Sequence, residues 1–159
     1  MKRSSFCTVL LVFLGVCFLQ GCGGEPRPEG MPPLHPATLT FTQEGRPLQE
    51  ANVRLVSPDV GWVVGGLTDA NGRVELFTHG RFRGAPVGEY SICVDKYVTE
   101  GELPSPQNPY AVWTVFNVIE QQYWYAHTTP LTVTIVEGRN TPPPFDVGSE
   151  VRIEPPPSL

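Results

Sequence analysis

The sequence predicts an all-β protein: an antiparallel, Greek-key-type sandwich of seven strands, give or take one. Three observations carry this. Short runs alternate apolar and polar residues, which puts one face of a strand inward and the other in water. Gly and Asn-Gly turns separate these runs at short intervals. Finally, 18 prolines and 16 glycines in 159 residues leave few windows in which a helix could run unbroken. A small closed barrel would give the same pattern. At 40% apolar and 17% charged residues the chain has material for one core, and its length suits one folded domain.

The strands follow in order. Thr38-Leu39-Thr40-Phe41-Thr42 turns Leu39 and Phe41 to one side, and Asn52-Val53-Arg54-Leu55 does the same with Val53 and Leu55. Trp62-Val63-Val64 is a candidate short strand. Arg73-Val74-Glu75-Leu76 alternates again, as does Tyr90-Ser91-Ile92-Cys93-Val94-Asp95, in which Tyr90, Ile92 and Val94 share a face and Cys93 takes the opposite one. Residues 111–118 are β-rich with weaker alternation, and Leu131 to Ile135 alternates most cleanly. Val151 and Ile153 suggest a last short strand. Between the strands, Asp69-Ala70-Asn71-Gly72 is expected to close a hairpin: Asp69 accepts from downstream backbone N–H groups and Gly72 takes a positive φ at little cost. A helix would fit only near Ile119–Ala126.

The N-terminus reads as an address. Lys2 and Arg3 precede an apolar stretch from Phe6 to Leu19, a length within the about 7–15 residues of a secretory signal core and too short for an ordinary spanning helix. Leu19-Gln20-Gly21-Cys22 follows, and this resembles the bacterial lipoprotein signal, although Gln20 stands where that family more often has a small or aliphatic residue. The resemblance implies cleavage before Cys22, acylation of its thiol and new amine, and anchoring to a bacterial membrane on the non-cytoplasmic side. An ordinary signal peptide with a cysteine near its end is the competing reading. Several acyl chains, at about 0.8 kcal/mol per buried methylene, hold a protein on a bilayer far more firmly than one. The expected organisation is therefore a signal peptide over 1–21, a lipidated Cys22 with a Pro/Gly-rich tether over 22–36, the sandwich over 37–153 and a Pro-rich tail over 154–159. Once Cys7 and Cys17 leave with the signal and Cys22 is acylated, Cys93 has no partner for a disulfide within the chain.

The middle of the chain carries a second resemblance. Gly45-Arg46-Pro47 leads to Ala51-Asn52-Val53, then Thr68-Asp69-Ala70-Asn71-Gly72-Arg73, then Gly88-Glu89-Tyr90-Ser91-Ile92-Cys93-Val94. In this order the segments resemble the carboxypeptidase regulatory-like domain, a transthyretin-like (prealbumin-like) sandwich, over residues 37–152. The resemblance implies a non-catalytic accessory, adhesion or binding module. The hydroxyisourate hydrolases share the transthyretin fold, but their C-terminal Tyr-Arg-Gly-Ser is absent; the tail here runs Arg152-Ile153-Glu154-Pro155.

The chemistry-bearing residues give no catalytic constellation. There is no Gly-x-Ser-x-Gly, no His-Glu-x-x-His and no phosphate loop. His35, His79 and His127 are far apart in sequence, and no metal-ligand spacing is present, so neither metal nor cofactor is expected. A net charge of −5 with no basic cluster argues against nucleic acid as a partner. The unusual stretch is aromatic: Tyr110, Trp113, Phe116, Tyr123, Trp124 and Tyr125. Exposed, Tyr110, Trp113, Tyr123, Trp124 and Tyr125 could bind an envelope protein or stack on a glycan; buried, they complete the core. The expected function is a lipid-anchored, non-enzymatic binding or structural module of the cell envelope. A carbohydrate-binding module is the alternative, and a small hydrolase is a third, disfavoured reading.

Overall fold

The computed structural model describes residues 26–154. The expected signal peptide, Cys22 and residues 155–159 lie outside the described residues. The chain divides into two units, residues 1–31 and residues 32–159. In the first, the Met31 N–H donates to the Pro28 carbonyl across a turn (3.2 Å).

The second unit is a β-sandwich. Its first sheet is built on β1 (Thr38–Gln43), which pairs antiparallel with β2 (Arg46–Pro47) near its end and with β5 (Arg73–Glu75) near its start. Its second sheet has the order β11 (Thr132–Ile135), β8 (Gly88–Asp95), β3 (Asn52–Val56), β4 (Val64–Leu67), β6 (Phe77–Thr78), β7 (Phe82–Arg83), antiparallel throughout. Leu39, Phe41 and Val74 from one sheet meet Val53, Leu55, Tyr90, Ile92, Val94 and Ile135 from the other, and all are buried. Each such side chain removed from water contributes roughly 1.5–3 kcal/mol.

One pairing departs from the expected antiparallel arrangement. β12 (Phe145–Asp146) runs parallel to β1, with Phe41 opposite Phe145 and their rings stacked 5.5 Å apart. The chain returns from β11 through Asn140, which bridges Ala37 in parallel, so it meets β1 running in the same direction. The Thr42 hydroxyl donates to Asp146 Oδ2 (2.7 Å) and the Gly148 N–H to Oδ1 (2.9 Å), which together hold that carboxyl below its ordinary range.

The expected seven strands, give or take one, are delivered as twelve segments: two extended runs change partners part-way, and the two-residue strands β2, β7 and β12 were not expected. Residues 73–78 pair with β1 as far as Glu75, bend at the buried Leu76, and join the second sheet as β6. This is how a sandwich turns a corner. Residues 88–101 bend at Lys96 and leave the sandwich as β9 (Tyr97–Gly101), which among the described residues pairs only with β10 (Trp113–Asn117). The short strand expected at Trp62–Val64 begins only at Val64, and Val63 is exposed. In place of a last strand at 151–153, Ile153 forms an isolated bridge to Asn117. The window considered for a helix holds one 3-10 turn, Gln121–Tyr123.

The folded unit also takes in residues expected to be tether. His35 exchanges backbone hydrogen bonds with Ala85 (2.9 and 3.0 Å), and its Nδ1 accepts from the Gly138 N–H (3.0 Å). The Asp69 turn forms as its sequence implies: Oδ1 accepts from the Asn71 and Arg73 N–H groups at 2.8 Å each, and Gly72 has φ +71°. Thr68 adds a bond not foreseen, its buried hydroxyl accepting from the Ala51 N–H (2.8 Å).

Two predictions follow from close contacts. Gly66 lies opposite Val53 in β4, and a methyl built on it would come 2.6 Å from Val74 Cγ2 and 2.7 Å from the Glu75 carbonyl oxygen. Gly66→Ala should cost about 1–3 kcal/mol in denaturant unfolding. Gly61→Ala, with open space around it, should stay within about 0.5 kcal/mol of the parent. The Tyr90 hydroxyl, buried at the start of β8, donates to the Pro86 carbonyl (2.9 Å), and burial pushes its pKa up to about 12. The unfolded phenol ionises near its ordinary 10.0, so this contribution is complete below pH 10 and is lost as pH rises toward 12. Tyr90→Phe should lower stability at pH 7 by about 0.5–1.5 kcal/mol and flatten the loss between pH 10 and 12.

Candidate functional site

The aromatic stretch is divided by the fold. Tyr123 and Trp124 are buried at 7% and 6% exposure, whereas Tyr110, Trp113 and Tyr125 are exposed at 90%, 46% and 45%. Phe116 is half-buried. Trp124 is fixed at both ends: its Nε1 donates to the Ile119 carbonyl (2.9 Å) and its own carbonyl accepts from Arg54 Nη2 (3.2 Å). Tyr123 and Trp124 thus complete the core and offer no stacking surface, leaving Tyr110, Trp113 and Tyr125 of the five candidates able to touch a ligand.

The Arg54 guanidinium also meets Asp95 Oδ2 (3.2 Å), on the face of β3 and β8 that turns away from Ile92. Cys93 lies directly opposite Arg54 and is buried. Burial raises its thiol pKa, Arg54 pulls it down and Asp95 pushes it up; the net direction is upward. The protonated, enclosed thiol has none of the character of a nucleophile. Arg54 is a cationic neighbour that only the strand register reveals.

Tyr110 and Trp113 belong to the β9–β10 ribbon and its connecting loop, residues 102–112. Along the ladder the Val118 N–H donates to the Lys96 carbonyl (2.9 Å) and the Glu102 N–H to the Val112 carbonyl (3.2 Å). Trp113 stands opposite Gly101, which has φ +94° and no side chain to cover the indole. The loop is stapled by Asn108: its Nδ2 donates to Glu102 Oε2 (3.0 Å), its backbone exchanges bonds with Ser105 (3.1 Å each way), and its carbonyl accepts from the Ala111 N–H (3.3 Å). Pro104, Pro106 and Pro109 stiffen it further. Such a loop presents Leu103, Tyr110, Val112 and Trp113 to solvent with little entropy left to lose on binding. No Lys or Arg lies between Tyr97 and Trp113.

At the base of the ribbon Asn117 is fully buried. Its Oδ1 accepts from the Lys96 and Ile119 N–H groups (3.3 and 3.0 Å), and its Nδ2 is the buried side-chain nitrogen left without a partner among the described residues. The three histidines sit in separate settings: His35 on Gly138, His79 edge-on to Trp62, and His127 stacked on Tyr125. Among the described residues no three His, Cys, Asp or Glu side chains gather as metal ligands, and no helix is long and apolar enough to cross a membrane. A polar depression between β2 and Lys96 mixes Glu44 and Glu150 with Arg46 and Lys96.

No family model matches the chain, and no curated protein matches it. Among solved structures, a 9R-lipoxygenase from Cyanothece aligns with 77% of this chain and 18% of its own, at 19% identity and a TM-score of 0.34. The chain spans under a fifth of that enzyme's length, and a likeness this weak carries no argument about fold or activity.

Proposed function

We propose that this protein is a lipid-anchored, non-enzymatic binding module of a bacterial cell envelope, with a transthyretin-like sandwich of the carboxypeptidase regulatory-like kind. The observation that carries the reading is the sequence Leu19-Gln20-Gly21-Cys22, placed directly after an apolar signal core and directly before a Pro/Gly-rich spacer. The spacer ends where His35 pairs with Ala85, so a short stretch separates the acylated Cys22 from the sandwich. The ribbon of β9 and β10 supplies the binding surface. It leaves the sandwich at Lys96, just past the end of β8 that lies away from Ala85, so Tyr110 and Trp113 are carried away from the point where the spacer joins.

A carbohydrate ligand is the second reading, favoured by the open indole of Trp113 over Gly101 on a ribbon whose own residues 97–117 include no Lys or Arg. An envelope protein would use the same surface.

The test has two arms. Cys22→Ala, or globomycin treatment of the producing cells, should change the size of the protein and move it out of the membrane fraction; unchanged size and partition would defeat the anchoring. Cosedimentation with purified peptidoglycan should be lost in Tyr110→Ala and Trp113→Ala proteins that keep the parent's melting temperature. Wild-type protein that stays in the supernatant would remove the glycan reading.

A further inference from the structure

From the backbone of β9 we infer that the protein pairs with a second copy of itself, edge to edge through Tyr97, Thr99 and Gly101, to form a continuous four-stranded sheet β10-β9-β9-β10. The inference concerns a surface and a partner beyond the anchoring and ligand readings, and depends on neither.

The ladder bonds decide which groups are free. In an antiparallel pair, residues alternate between those that exchange bonds with the partner strand and those whose N–H and C=O point away. Lys96–Val118 and Glu102–Val112 are bonded pairs. Counting along the register, Val98–Phe116 and Glu100–Thr114 are bonded as well, while Tyr97, Thr99 and Gly101 direct their backbone groups to the open side. Among the described residues β9 has no other neighbour in its sheet.

That open edge is self-complementary. A two-fold axis through Thr99 sets Thr99 against Thr99, Tyr97 against Gly101 and Gly101 against Tyr97, and each facing pair presents the groups the other needs. The residues between them pair Val98 with Glu100, so like charges never meet. Glu100 is moreover neutralised by its ion pair with Arg152. The side chains agree with the backbone. Trp113 and Gly101 are opposite one another, hence on one face, and the second copy's Tyr97 would stand next in that row. Bare Gly101 leaves room between two rings that are now about half exposed, Trp113 at 46% and Tyr97 at 54%. An aromatic across from a glycine is a known way to repair a weak point in a sheet.

Physical need points the same way. A two-stranded ribbon is marginal in water, whereas four strands with an apolar face are not. Edge strands of monomers are usually defended by Lys, Pro, a bulge or a cover. The interior of β9, Val98-Thr99-Glu100, carries neither Lys nor Pro.

The full-length chain, purified in mild detergent, should sediment as a dimer. Thr99→Pro should return it to a monomer, because it deletes an outward N–H and leaves the bonds to β10 in place. If that variant fails to fold, cysteine cross-linking reads the same contact. Facing Thr99 positions would have Cα atoms about 5.5 Å apart, within disulfide reach. Thr99→Cys should therefore give a covalent dimer under copper-phenanthroline, while the wild-type chain and Asn71→Cys, in an exposed turn, should not. A monomeric wild type, a Thr99→Cys protein that cross-links no more than these controls, or one that cross-links to a different protein would each overturn the inference.

Discussion

The structure depends on one strand. In β8 the side chains of Tyr90, Ile92 and Val94 point into the space between the sheets, and each is buried to within 2%. The strand lies between β3 and β11, so both of its edges are hydrogen-bonded within the second sheet. Its start is fixed by the Tyr90 hydroxyl on Pro86, close to the Ala85 bridge that ties in His35. Its end becomes the ribbon. Core, entry point and exposed surface are therefore set by successive parts of the run 86–101, and a register shift of one residue in β8 would turn all three core side chains outward.

The outer face of that strand explains why part of the aromatic stretch is structural. Cys93 and Asp95 would otherwise look into water. The segment around the 3-10 turn covers this face, its position fixed by the bond from Arg54 to the Trp124 carbonyl. Arg54 serves two acceptors at once, Asp95 and that carbonyl, so one charged group both pairs an acid and seats a covering loop. Among the described residues no comparable cover reaches the ribbon, and Tyr97 and Trp113 remain at the surface.

What the sequence disclosed and what it hid follow from the same physics. Strands with one wet and one dry face announce themselves by alternation, and Leu39, Phe41, Val53, Leu55, Val74, Leu76, Tyr90, Ile92, Val94, Val133 and Ile135 were all legible as core on that ground. The Asp69 turn was legible because its chemistry is local. β9 was not, since Tyr97-Val98-Thr99-Glu100 is largely exposed on both faces and has no period to read. The change of sheet at Leu76 was hidden because burial passes from Val74 to Leu76 to a polar Thr78, while the sequence shows only two adjacent apolar residues, Leu76 and Phe77. The aromatic residues could be listed from the sequence but not sorted: Tyr110 and Trp124 differ in what lies across from them in space, which is decided by the β3–β8 register and the loop it supports. The parallel return of β12 was hidden for the same reason, its two paired residues being too few to show a pattern.

The central claim, that the inward column of β8 against β3 holds the sandwich together, is tested most directly by native-state hydrogen exchange. The account predicts that the slowest amides, those released only by global unfolding, belong to β3 and β8 in the stretches Val53–Leu55 and Ile92–Val94. Exchange of these amides faster than those of the short strands β2, β7 and β12 would contradict it.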